Sequence, residues 1–184
     1  MAYRPYLLVA AFAVCAVPAS ASVFVVGSSD ARLCYQAADS PLNPALRDIR
    51  RCDDALLRDS LSQYEIVATH VNRGILKLRR GLVDAAIADF DAAIRLDPDQ
   101  AEAYLNKGTA LLRRENPTEA LQLYTVALEH DTSRPAIAHY GRAIANETMG
   151  NLNAAYRDYT AASQIAPNWR EPRLELARFR VISR

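Results

Sequence analysis

Lysine is almost missing from this 184-residue chain: Lys77 and Lys107 stand beside twenty arginines. The 22 basic residues meet 21 acids, a formal net charge of +1. That balance offers no basic face to release counterions from phosphate, so a nucleic-acid partner is not expected. Glycine is also sparse, six residues placed singly, which excludes a phosphate-cradling loop. Three cysteines and three histidines supply no matched set of four zinc ligands. No Ser, Cys or Asp stands at a spacing that suggests a nucleophile with its base. The chain therefore reads as a non-enzyme, with no cofactor, no metal and no small-molecule substrate. His70 and His139 take places suited to core aromatics, and His130 lies near a helix end, where its partial charge suits the last carbonyls. Asp53-Asp54 and Asp89-Phe90-Asp91 read as solvated helix faces.

What is present begins with an address. Arg4 precedes an apolar run from Tyr6 to Val17, and Ala19-Ser20-Ala21 gives the small-x-small pattern of a cleavage site. Residues 1–21 are expected to be a signal peptide cut after Ala21, which sends the chain to the periplasm. The rival is an uncleaved anchor, because Tyr6 to Val26 is about 21 mostly apolar residues, enough to span. A membrane enters only if that segment is retained; Pro18 and the small residues after it favour cleavage. An exported chain would keep Cys34 and Cys52, an even pair in an oxidising compartment. Eighteen residues apart, they can sit on the two helices of a hairpin and form a disulfide; two buried free thiols are the alternative.

Residues 22–64 read as an N-terminal arm, Ser22 to Asp30, followed by a degenerate helical hairpin holding Cys34 and Cys52. The arm is β-branched and extended. A short helix covers Ala31 to Ala38, Pro41 and Pro44 break it, and an amphipathic helix runs from Ala45 to Leu61. From Val67 the chain repeats itself. Gly74, Ala86, Phe90 and Ala93 are answered 34 places on by Gly108, Ala120, Tyr124 and Ala127, and 35 further by Ala143, Ala155, Tyr159 and Ala162. Pro98 is answered by Pro167. A period of 34 is that of a helix-turn-helix array. Three repeats, 67–100, 101–134 and 136–168, fill residues 65–168. Small residues at 86, 120 and 155 let paired helices cross closely, with Phe90, Tyr124 and Tyr159 filling the space beside them. Gly81 ends one helix, Asp99 with Glu102 forms a capping-box pattern, and Asn116-Pro117-Thr118-Glu119 forms another. Glu115 stands where the pattern wants glycine. Residues 169–184 read as a C-terminal capping helix with Trp169, Leu174, Ala177 and Val181 on one side.

These motifs resemble the tetratricopeptide repeat family. The resemblance implies an all-α fold, a right-handed superhelical array of antiparallel helix pairs forming a solenoid. The Cys34-Tyr35-Gln36-Ala37-Ala38 and Cys52-Asp53-Asp54-Ala55-Leu56 runs, with the valine-rich start, further resemble small exported bacterial proteins of this kind. In the family, the first helices of successive repeats line a concave groove that holds extended or helical peptides. Carried onto this chain, the groove columns are Val71, Asn72, Ile75 and Arg79; Leu105, Asn106, Thr109 and Arg113; then Tyr140, Gly141 and Ile144. Asn72 and Asn106 can both donate to and accept from a peptide backbone; asparagine being common at that consensus place is the plainer account. The family's clamp for a C-terminal carboxylate needs Lys and Arg, where this chain has Val71, Ile75, Ile137 and Gly141, so that clamp is absent. The implied function is a protein or peptide interaction scaffold of the cell envelope. Its alternatives are a chaperone-like assembly or secretion accessory, or the regulatory subunit of an envelope enzyme.

Overall fold

The computed structural model describes residues 21–25, 29–58 and 60–179. The expected signal segment up to Ser20, and Val181 of the expected capping face, lie outside them. Among the described residues the regular structure is entirely helical. A hairpin of α1 (Ser29–Asp39) and α2 (Leu46–Arg58) comes first. Three helix pairs follow: α3 (Gln63–Arg79) with α4 (Val83–Leu96), α5 (Ala101–Arg113) with α6 (Pro117–Glu129), and α7 (Pro135–Thr148) with α8 (Leu152–Ile165). A short α9 (Arg170–Leu176) closes the array. The result is an all-α helical repeat solenoid.

The repeat skeleton packs by size. Ala86, Ala120 and Ala155 are fully buried where paired helices cross, beside Phe90, Tyr124 and Tyr159, which are at most 2% exposed. The fit leaves no spare volume. A Cβ on Gly74 would lie 2.5 Å from the Phe90 ring, and one on Gly141 would lie 2.3 Å from Tyr124 Cζ. Gly141 therefore belongs to the packing of Tyr124 between α6 and α7, not to the guest-facing column expected for it. The two tyrosines that replace Phe90 bury a hydroxyl, and each finds a partner, as a buried polar group must. Tyr124 OH lies 3.0 Å from Thr109 Oγ1, and Tyr159 OH donates to Glu147 Oε2 at 2.7 Å.

Side chains cap the starts of α3 and α6. Ser62 caps α3, accepting from the Glu65 N–H while the Glu65 carboxylate accepts from the Ser62 N–H. Asn116 caps α6 ahead of Pro117. The capping box expected of Asp99 and Glu102 does not form. Gln100 precedes α5 without a side-chain cap, and the Glu102 carboxylate instead accepts from Ser133 N–H at 2.8 Å and Thr132 Oγ1 at 3.3 Å. It thus ties α5 to the turn that opens the next pair. At the array's end the covering residues are Trp169, Pro172, Leu176 and Phe179, with Leu174 half exposed. Trp169 packs against Tyr140 with ring centroids 4.8 Å apart and planes tilted at 54°. The apolar set at spacings of three and four thus starts at Trp169 but takes a different register from the expected Leu174 and Ala177.

Cys34 and Cys52 are bonded, both fully buried, joining α1 to α2 with their Cα atoms 5.0 Å apart. Under the loop-entropy account a bond closing such a loop contributes about 3 kcal/mol. The α1–α2 turn is fastened from the next helix: Arg79 donates to the Ser40 carbonyl and Arg80 to that of Pro44.

Candidate functional site

The first helices of the pairs carry the residues that sequence reasoning assigned to a groove, and an extended segment already lies on them. Residues 21–25 run in an extended form over the face made by α1, α3 and α5. Alternation explains their seating, since successive side chains of an extended chain point to opposite sides. Ala21, Val23 and Val25 are 1%, 7% and 1% exposed, whereas Phe24 is 57% exposed. Val23 and Val25 join the core of Val71, Ile75 and the α1–α2 hairpin, and Ala21 joins that of Leu105 and Ala138.

The arm's backbone is held by the two matched asparagines. Asn72 Nδ2 donates to the Val23 carbonyl at 2.8 Å, and Asn72 Oδ1 accepts the Val23 N–H at 2.9 Å. One amide thereby satisfies both polar groups of one residue, as a neighbouring strand would. Asn106 Nδ2 reaches the Ala21 carbonyl at 3.2 Å and its own helix's Glu102 carbonyl at 2.7 Å. Tyr64 OH donates to the Phe24 carbonyl at 3.1 Å, and Ser22 Oγ to Asp39 at 2.9 Å. Phe24 meets Tyr35 edge-on at 5.2 Å. Both asparagines are buried, so losing Asn72 would strand the Val23 N–H and C=O, each costing about 1–3 kcal/mol.

The remaining expected groove residues divide. Val71, Ile75 and Leu105 are buried beneath the arm. Thr109 is turned to Tyr124, and Arg113 Nη1 donates to the Leu78 carbonyl at 2.6 Å, stitching α5 to the end of α3. Burial lowers the guanidinium pKa of both Arg79 and Arg113. Burial also pushes the Tyr124 phenol well above its ordinary value, against the Thr109 hydrogen bond and the Arg113 charge. Tyr140 and Ile144 pack with Tyr159 and Trp169 toward the C-terminal end. Asn72 and Asn106 are thus brought together on the chain's own residues 21–25, while Tyr140 and Ile144 serve the end cap.

A second polar constellation lies inside the array, and it includes Asp89, for which a solvated face was expected. Asp89 is 3% exposed and Asp158 is 7% exposed. Asp89 is ringed by Arg73, which donates from Nε at 3.0 and 3.1 Å, by Lys77 Nζ at 2.7 Å and by His70 Nδ1 at 3.3 Å. Arg73 also reaches Asp53 on α2 at 2.7 Å. Asp158 repeats the plan with His139 at 2.9 Å and Arg142 at 2.8 and 2.9 Å. Burial works to raise the Asp89 pKa, but the hydrogen bonds from His70, Arg73 and Lys77 outweigh it and bring it down to about 2. Asp158 is lowered in the same way by His139 and Arg142 against its burial. The signal was available: His70, Arg73 and Asp89 recur 69 places on as His139, Arg142 and Asp158. His130 stacks on Tyr104 at 5.7 Å and lies 3.4 Å from Asp99. No group of three or more His, Cys, Asp or Glu among the described residues could hold a metal.

Residues 71–135 match the tetratricopeptide repeat family. Over that stretch the sequence is similar to tetratricopeptide repeats. Rat serine/threonine-protein phosphatase 5 is 34% identical over 90 residues, 49% of this chain and 18% of that protein. The protein CTR9 homolog of Arabidopsis thaliana is 29% identical over 101 residues, 55% of this chain and 9% of the relative. The chain therefore spans less than a fifth of either relative, and the repeats are what it shares with them. Among solved structures, the first tetratricopeptide domain of Spaghetti (RPAP3), bound to the HSP90 peptide SRMEEVD, matches 61% of this chain and 89% of that one. Its TM-score is 0.59 at 21% identity, a likeness of fold.

Proposed function

We propose that this tetratricopeptide repeat protein is a non-catalytic interaction scaffold that receives an extended peptide segment on the face lined by Asn72 and Asn106. The observation that carries the reading is the arm itself. An extended backbone rests there on paired amides that contact main-chain groups alone. Recognition through the backbone tolerates sequence, and the apolar floor of Val71, Ile75 and Leu105 supplies the rest. The structural relative holding an HSP90 peptide lends support by likeness. The carboxylate-clamp cations are missing here, so the guest is not held by a C-terminal carboxylate.

The compartment we propose is the bacterial envelope, reached through the segment 1–21. The bonded Cys34–Cys52 pair supports an oxidising location. The test is in-cell crosslinking with partner identification, comparing the native chain with Asn72→Ala plus Asn106→Ala that keeps its helical circular dichroism. Loss of a defined partner from the variant is the expected result, and an unchanged partner set would sink the groove reading. Mass spectrometry of the mature chain, alkylated without reductant, should find Cys34 and Cys52 unmodified and Ser22 at the amino terminus.

A further inference from the structure

The face that should receive a guest is occupied by the chain's own residues 21–25, and the manner of that occupation specifies what could replace them. Both main-chain groups of Val23 are matched by Asn72, and the Ala21 carbonyl by Asn106. The inward side chains are small, Ala21, Val23 and Val25, and sit against Val71, Ile75, Leu105 and the α1–α2 hairpin. Outward, Phe24 rests edge-on against Tyr35, and its carbonyl takes the Tyr64 hydroxyl.

We propose that the arm is an internal occupant that closes this face, and that the guest which displaces it is an extended segment with alanine- or valine-sized side chains at every second residue. This rests on the groove reading given above. The arm supplies no helix to this floor and its inward side chains bear no charge, so an extended segment of the same alternation satisfies the same amides. A charged residue at an inward place would be buried where the floor is apolar, and that excludes it. Because arm and face belong to one chain, docking is intramolecular and the arm competes at high effective concentration. A guest's apparent affinity then falls by the fraction of molecules whose face is open. Removal of residues through Ala21 would leave Asn106 without its arm carbonyl and weaken the closure from one end.

The experiment uses a fluorescein-labelled synthetic peptide of sequence ASVFVVG, titrated by anisotropy into the mature chain from Ser22 and into its Val23→Asp variant, whose arm cannot seat. The variant should bind at least tenfold more tightly than the native chain, and a peptide with Asp at its third position should bind neither. Equal affinity for both chains would overturn the closure while leaving the face a peptide site. No binding to either, with helical circular dichroism intact, would overturn the closure and the groove reading together. Hydrogen exchange on the native chain gives a readout that needs no variant. The Val23 amide, held by Asn72 Oδ1 in the free chain, should exchange at least tenfold faster when the peptide is saturating. Unchanged protection at saturation would also overturn the proposal.

Discussion

The α3/α4 and α7/α8 pairs bury a carboxylate, whereas the α5/α6 pair between them puts a leucine in the same slot. Asp89 and Asp158 correspond to Leu123, His70 and His139 to Tyr104, Arg73 and Arg142 to Lys107, and Lys77 to Leu111. In the central pair Tyr104 and Leu123 join an apolar cluster with Leu111, and Lys107 turns away to Asp91 at 2.8 Å. The turns differ in parallel. Gly81 and Gly150 end α3 and α7 at φ of 78° and 81°, and Glu115 ends α5 at 57°. One backbone architecture thus accepts either a charged lock or an apolar plug. The Gly, Ala and aromatic skeleton sets the fold, and the second slot sets how each pair fails.

The largest expected effect is at the first lock. Asp89→Ala leaves Arg73, Lys77 and His70 facing a buried gap, and breaking a buried pair from one side costs about 3–5 kcal/mol. Leu123→Ala removes a partly buried side chain and should cost about 2 kcal/mol. Urea denaturation followed by circular dichroism measures both, and equal losses would erase the distinction between the pairs. Transplanting the central solution sharpens it. The combination of His70→Tyr, Arg73→Lys, Lys77→Leu and Asp89→Leu should stay within about 1 kcal/mol of the native chain or exceed it, since apolar replacements of buried ion clusters are often neutral or stabilising.

Acid should separate the same two solutions by a smaller amount. The folded Asp89 carboxyl, at about 2, lies below its ordinary value of 3.8. A depressed carboxyl contributes stability that is complete above the unfolded value and fades as pH falls toward the folded one. The window is therefore pH 4 down to pH 2, and the contribution lost is on the order of 2 kcal/mol. Asp158 is shifted in the same direction and adds to the slope. The four-residue transplant should flatten the loss across that window, and a native-like slope in the transplant would place the acid sensitivity elsewhere.

Sequence reasoning reached the solenoid because its determinants are sizes at fixed offsets: Gly74 under Phe90, Ala86 and Ala120 at crossings, and Gly81 past a helix end. These are local and repeat. The locks were missed because an aspartate beside an aromatic on a helix looks solvated until the partner helix is placed. Asp89 faces α3, and only the joint recurrence of His70, Arg73 and Asp89 at 69 residues betrays that. Asn72 and Asn106 were legible as backbone-gripping amides. Their occupant was not, although the alternation of Ala21, Val23 and Val25 is a period of two that suits a seated strand. Arg79 and Arg113 took unexpected partners because their targets, the Ser40 and Leu78 carbonyls, are backbone groups without a side-chain signature. Trp169 was found as a capping residue, while the register after it depended on which side of α9 met Tyr140.

The turn of the central pair offers the smallest effect and the cleanest control. Glu115 holds a left-handed backbone conformation, which for a residue with a Cβ costs about 1–2 kcal/mol. Glycine removes that cost but raises the entropy of the unfolded chain, so Glu115→Gly should gain about 1 kcal/mol net. For a chain of this length that is a rise in melting temperature of about 2–4 °C. The reverse change tests the same physics without steric confusion. A Cβ added at Gly81 or Gly150 meets nothing within 4 Å, so any loss in Gly81→Ala or Gly150→Ala comes from the backbone alone. Each should lose about 1 kcal/mol. If Glu115→Gly melted below the native chain while both alanine variants also lost stability, the Glu115 side chain would be contributing a contact of its own. The central pair would then differ from its neighbours in what it gains at the turn as well as in what it buries.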